Sequence, residues 1–283
     1  MNDNFMGMGG FFWWTGVVES RNDPLKSGRV QVRILGSHTN DIITLPTEDL
    51  PWALVMLPVT SSGISGIGNT PLGLLEGSWV FGYFRDGDIR QDPVVLGALP
   101  GFPIAAADST KGFNDPNGIY PRYINEPDVN RLAVNDPNKP HPSLALNRSL
   151  VLSNITAYSG TISIPSTTYD ALYPHNNVYE SESGHIVEFD DTPNASRISI
   201  RHNTGTSIEI DNAGNTTTIV TGIHSIQIDK DHNVIIQGNS NIVVTGDANI
   251  KANNIGMLAE GNIDITAGGT IEITGTRIDL NKG

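Results

Sequence analysis

The spacing of apolar and polar positions divides the chain into three stretches with different rhythms. Up to about residue 110, short apolar runs with a two-residue alternation are broken by Gly, Pro and Asp. This predicts strands over 16–19, 28–35, 52–59, 78–84 and 93–99. The second is the cleanest: Val30, Val32 and Ile34 share one face, and Arg29, Gln31 and Arg33 the other. Asp86-Gly87-Asp88 falls between the fourth and fifth strands, where Gly accepts the positive φ of a hairpin turn.

From 111 to 179 the rhythm disappears. Pro116, Pro121, Pro127, Pro137, Pro140 and Pro142 come too closely for helix or sheet interiors, so this stretch reads as an extended connector. Leu144, Leu146, Leu150, Val151, Leu152, Ile155, Ile162 and Ile164 predict that it lies against something apolar.

Residues 180–283 carry an eight-residue repeat, visible when Gly214, Gly222, Lys230, Gly238 and Gly246 are aligned as first positions. The fifth and seventh positions are then Thr218/Val220, Ile226/Ile228, Val234/Ile236, Ile242/Val244 and Ile250/Ala252. The register slips over 253–261 and resumes with Ile263/Ile265, Ile271/Ile273 and Ile278/Leu280. Residues two apart in a strand share a face, so each octad offers one aliphatic pair inward and then turns at a Gly corner. A lone ribbon of this kind leaves both its stripe and its backbone edges in water. Three intertwined chains would enclose the stripe, with each Ile or Val worth roughly 1.5–3 kcal/mol on burial. Ile219, Ile235 and Val243 stand out of phase with this pattern.

The expected fold is therefore all-β. An N-terminal barrel of the oligonucleotide/oligosaccharide-binding (OB) type spans 1–110, an extended connector 111–179, and a homotrimeric, intertwined triple-stranded β-helix 180–283. The trimer core would be Ile226, Ile228, Val234, Ile236, Ile242, Val244, Ile250, Ile263, Ile265, Ile271 and Ile273.

Composition narrows the chemistry. With 38% hydrophobic residues in 283, wholesale disorder is not expected. Cys 0 removes disulfides, thiolate nucleophiles and cysteine metal sites. Lys+Arg 17 against Asp+Glu 30, a formal charge of −13, argues against a nucleic-acid partner. No run approaches the roughly 18 apolar residues of a membrane span. No Lys or Arg precedes Arg21, so a secretory signal is not expected, and the chain is expected to accumulate in the cytoplasm where it is made.

Specific segments carry a family likeness. The run from Trp14 to Arg33, then Leu45-Pro46-Thr47-Glu48 with Leu50-Pro51-Trp52, Ser65-Gly66-Ile67-Gly68 and Gly118-Ile119-Tyr120-Pro121-Arg122, closely resembles the central spike, or tail lysozyme, of large contractile-tailed bacteriophages. Glu182-Ser183-Gly184-His185-Ile186 and Glu188-Phe189-Asp190-Asp191-Thr192-Pro193, followed by the octads, resemble that family's needle entrance and β-helix. The VgrG spikes of type VI secretion share the plan.

The resemblance implies a cell-puncturing virion protein of the tail baseplate. It would be seated on a trimeric tail hub, capped by a PAAR-type tip protein, and in transient contact with the host outer membrane. Toward the hub it implies the barrel segment with Asp23, Leu25, Gly28 and Arg29, and the loop with Ser65, Gly66 and Gly68. Only about sixty residues, Pro121 to Glu180, occupy the place of the lysozyme domain, too few for that fold, so a spike without its own muramidase is expected. The rival reading, a trimeric polysaccharide-binding or depolymerase protein, needs a carboxylate pair on a groove. The nearest material is Asp229/Asp231 and Asp264/Glu272.

Other patterns have plainer explanations. His185 and Glu188 fall on opposite faces of an alternating strand, and Gly63-x-x-Gly66-x-Gly68 lacks the order of a phosphate-binding fingerprint. Asp86-Gly87-Asp88 lacks the spaced carboxylates of a calcium loop. Trp13 and Trp14 suit core packing or hub contact better than base stacking, and the last His, His232, is far from the C-terminal end. No catalytic residue, cofactor or metal is expected.

Overall fold

In the computed structural model of the chain, the described residues are 12–150, 155–157, 160–162 and 165–279. Five strands form a closed barrel: β1 (Trp13–Ser20), β2 (Val30–Ile34), β3 (Trp52–Val55), β4 (Trp79–Phe84) and β5 (Pro93–Ala98), in the order β1-β2-β3-β5-β4. β1 pairs with both β2 and β4, which closes the cylinder, and β3 runs parallel to β5. All five predicted strands are present. β3 stops at Val55 rather than residue 59, because Pro58 has no N–H to extend the ladder.

Trp14, Val18, Val30, Val32, Ile34, Ala53, Val80, Phe84 and Val95 form the barrel core. Gly82 makes room for Trp14: a Cβ there would lie 2.4 Å from the indole and 2.1 Å from the Val94 carbonyl oxygen. Trp13 points the other way, 54% exposed, and stacks on Phe81 at 5.1 Å.

The polar face of β2 is not wet, although the alternation marks it as the face away from the core. Gln31 and Arg33 are buried beneath the segment between β2 and β3. Arg33 donates to both oxygens of Glu19 and to the Thr39 and Leu45 carbonyls, and the Gln31 amide donates to the Glu48 and Leu50 carbonyls. Glu19 also accepts the Phe113 N–H at 2.8 Å, which ties the start of the connector to the barrel.

The connector is not extended throughout. It holds α1 (Arg131–Val134) and α2 (Pro142–Leu150), then a two-stranded ribbon, β6 (Ile155–Ala157) and β7 (Gly160–Ile162). Asn130 caps α1 by accepting the Leu132 N–H at 2.9 Å. Pro142 heads α2, where a missing N–H costs nothing. Leu132 and Ala171 are buried, giving the connector part of its expected apolar anchorage. The side chains of the predicted contacts from Leu150 to Ile164 lie outside the described residues.

Next comes an antiparallel meander of β8 (Asn176–Glu180), β9 (Ile186–Asp190), β10 (Arg197–Arg201), β11 (Ser207–Ile210) and β12 (Thr216–Ile219). It begins four residues before the boundary at 180 marked by composition. Barrel and meander fall in one unit of the chain, while the β6–β7 ribbon falls with the residues from Asp231 onward in a second.

Candidate assembly interface

Apart from Ile186, the buried residues of the meander strands are polar, while its opposite face exposes large apolar side chains. Glu188, Asp190, Arg197, Ser199, Arg201 and Ser207 are buried on one face. At its centre the Arg197 guanidinium pairs with Glu188, bonds Glu209 at 3.0 Å and approaches Asp190 at 3.6 Å. The Asn176 amide donates to Glu188 at 3.0 Å.

The connector covers this face. The Tyr169 ring lies 4.7 Å from the Arg197 guanidinium, the Tyr169 hydroxyl donates to the Leu132 carbonyl at 2.8 Å, and Arg201 donates to the Ser143 carbonyl at 3.1 Å. Burial pushes the Tyr169 phenol well above its ordinary value. Burial alone would raise the Glu209 carboxyl, but hydrogen bonds from Thr167 and Thr168 and the Arg197 charge hold it below the usual range.

The opposite face carries Val187, Phe189, Ile198, Ile200, Ile208 and Ile210, placed opposite one another by the register Val187↔Ile200, Phe189↔Ile198, Ile198↔Ile210 and Ile200↔Ile208. Phe189 is 54% exposed and Ile200 52%. A soluble sheet ordinarily turns such side chains inward, so a contiguous aliphatic face in water marks a contact surface.

The register carries this face into the repeat. Ile210 opposes Thr216 and Ile208 opposes Thr218, so the fifth octad position falls on the aliphatic face, and Ile219, one residue later, turns to the other side. This accounts for one of the three out-of-phase residues. From 220 to 279 no described residue is in a strand. The predicted core stripe is solvent-exposed in the single chain: Ile226 68%, Ile242 85%, Ile250 77%, Ile265 67% and Ile273 63%, with Ile228, Val234, Ile236, Val244, Ile263 and Ile271 also exposed.

The residues implied toward the hub divide in two. Asp23 is committed inward: it accepts from the Leu25 and Ser27 N–H groups and from the Ser27 hydroxyl, and pairs with Arg29 at 2.6 Å. The Arg29 hydrogen bond holds the Asp23 carboxyl far below the usual range. Leu25, 72% exposed, projects from this turn. Ser65, Gly66 and Gly68, all with positive φ, shape a loop tip closed by the Ile64↔Ile67 bridge. The two segments meet where Gly28 abuts Pro71, since a Cβ on Gly28 would lie 2.3 Å from the Pro71 ring. Sequence reading missed Val59, Ile64, Ile67 and Leu72, all exposed on this loop. Their signal was isolated aliphatics in a Gly/Ser run.

Glu188 is sealed in the Arg197 cluster, while the His185 ring lies tilted against that of His202, 4.4 Å between centroids. Asp229, Asp231, Asp264 and Glu272 are exposed, and among the described residues no three His, Asp or Glu gather as a metal site.

A closed five-stranded barrel in this order is the architecture of an OB-type domain. The family profile of the Gp5 N-terminal OB domain matches residues 36–198, and the chain belongs to that family. It is similar to protein Gp5 of Vibrio phage KVP40, 42% identical over 251 residues, which covers 77% of this chain and 59% of that protein. It is also similar to the pre-baseplate central spike protein Gp5 of Enterobacteria phage T4, 44% identical over 117 residues, covering 40% of this chain and 20% of that one. The chain thus matches less than two thirds of the length of either relative.

Proposed function

We propose that the chain is the structural, cell-puncturing spike of a contractile phage tail baseplate. In this reading it is a virion homotrimer, its barrels seated on a trimeric hub and its octads wound into a triple-stranded β-helix ending beneath a PAAR-type tip. The observation that carries the reading is the apolar face of the meander, which reaches Thr216 and Thr218 of the first octad and is exposed in one chain, as is the stripe of octad isoleucines. The likeness to a protein named as a pre-baseplate central spike supports the baseplate setting.

Contraction of the sheath would supply the force, and the needle only has to stay folded while transmitting it to the outer membrane. Intertwined strands unfold slowly because no chain leaves alone. Leu25 and the Ile64–Ile67 loop tip are the contacts proposed for the hub.

The proposed spike has no muramidase of its own. The segment from Pro121 to Glu180 supports this: it contains short helices, a ribbon and irregular chain, and Tyr169 and Asn135 tie parts of it back through the Leu132 and Ala171 carbonyls. Antibody against the chain should label the distal baseplate of uncontracted tails, and purified chain should release no sugar from peptidoglycan. Label elsewhere on the particle contradicts the spike, and sugar release contradicts the non-enzymatic reading.

A further inference from the structure

We propose that a cleft beside the barrel, with a volume of about 590 Å³, is a binding site for a neutral saccharide. One wall is the start of β4 and the end of β5, another the segment from Tyr120 to Arg131, and the third β8 and the residues after it. The size suits two or three sugar rings. Every wall belongs to the same unit of one chain, so the site needs no partner copy.

Two half-exposed aromatic rings line the cleft: Trp79, 45% exposed, and Tyr123, 38% exposed. Such rings offer flat faces for the C–H side of a pyranose. The Arg131 guanidinium lies 3.5 Å from the Tyr123 ring centroid and is held by Glu126 at 2.8 Å, so the platform is fixed before a ligand arrives.

The charged groups decide the ligand class. Glu126 is matched by Arg131, Glu180 by His141 at 3.1 Å, and Glu182 by Arg21 at 2.8 Å, while Asp128 accepts the Gly101 N–H at 2.8 Å. An anion would face five carboxylates, the fifth being Glu76, held by Arg21 at 3.1 Å, and a cation would meet Arg21, Arg122 and Arg131 already in place. A hydroxyl needs neither change, because it donates to the lone pairs an ionised carboxylate keeps and accepts from guanidinium or amide N–H groups. Interleaved acceptors and donors beside two aromatic faces therefore fit an uncharged polyol.

This goes beyond the spike reading, and the two fail separately, because the native mass of the same sample reports assembly. Chitotriose, maltotriose and cellotriose are titrated into the full-length protein, read by tryptophan fluorescence and saturation-transfer NMR. At least one should bind with a millimolar or tighter dissociation constant. Trp79→Ala and Tyr123→Ala should each weaken it by about tenfold or more, as expected for loss of a stacking ring. Asp128→Asn, at an exposed site, should weaken it with the fold intact, and Trp13→Ala, outside the cleft, should leave it unchanged. Absence of binding by all three in folded protein, binding indifferent to Trp79 and Asp128, or occupation of the cleft by a lysine-rich peptide while the saccharides do not bind would each overturn the proposal.

Discussion

Arg33 and Glu19 lie side by side as a bidentate pair, Nε to Oε1 at 2.7 Å and Nη2 to Oε2 at 3.0 Å, with neither side chain more than 2% exposed. The pair fastens three pieces at once: β1, β2 and, through the Phe113 N–H on Glu19, the connector. Glu19→Ala leaves a guanidinium buried without its counter-charge and should cost about 3–5 kcal/mol. The double change Glu19→Leu with Arg33→Met should cost less than the two single losses combined, as read by urea unfolding. Additive losses would show that the pair does not act as a unit.

Gly112 rests against the same guanidinium. A Cβ at Gly112 would lie 2.3 Å from Arg33 Nε, so Gly112→Ala should force Arg33 to shift and lower the unfolding midpoint. A midpoint equal to the parent's would mean that the covering loop yields freely.

Ile200 lies on the aliphatic face of the meander, and its neighbour Ser199 on the buried polar face. Because Ile200 is half exposed in one chain, Ile200→Lys should alter the chain's own stability by less than about 1 kcal/mol. It should nonetheless abolish assembly, as read by light scattering. An unchanged native mass would remove this face from the interface.

Glu180 and Glu126 have their carboxyls held below the ordinary value of 4.5, the first chiefly by the hydrogen bond with His141 and the second chiefly by that with Arg131. Groups depressed in the folded state contribute stability in full above the unfolded value, and lose it as pH falls through the folded one. The urea midpoint should therefore decline as pH drops below about 4.5, and Glu180→Gln should flatten the decline. An identical slope in the variant would show that Glu180 contributes nothing to it.

Asp23 organises its turn by accepting the Leu25 and Ser27 N–H groups. Asp23→Ala should speed amide exchange at these two residues by roughly tenfold, with exchange across the rest of the barrel unchanged. Barrel-wide acceleration would instead make Asp23 a global anchor.

How far the sequence could be read depended on whether a position's neighbours are close in the chain. The barrel strands were legible because β1 to β5 alternate locally between turn residues. The burial of Gln31 and Arg33 was not, since their partners, the Glu48 and Leu50 carbonyls and Glu19, come from distant segments. The inversion of the meander escaped for the same reason: Arg197 has the look of a surface residue until Tyr169 and Glu209 are brought to it. Of the hub-facing residues, Asp23 and Arg29 were visible as a motif, but only the fold shows them bonded to one another and Leu25 left projecting.

The central claim is most directly tested by the native mass of the full-length protein, measured by light scattering beside a version ending at Asp211. The account predicts three times the 30.4 kDa chain for the full length, and a weaker or absent trimer once the octads are removed. A full-length protein that remains a stable monomer, with its stripe of isoleucines in water, would contradict it.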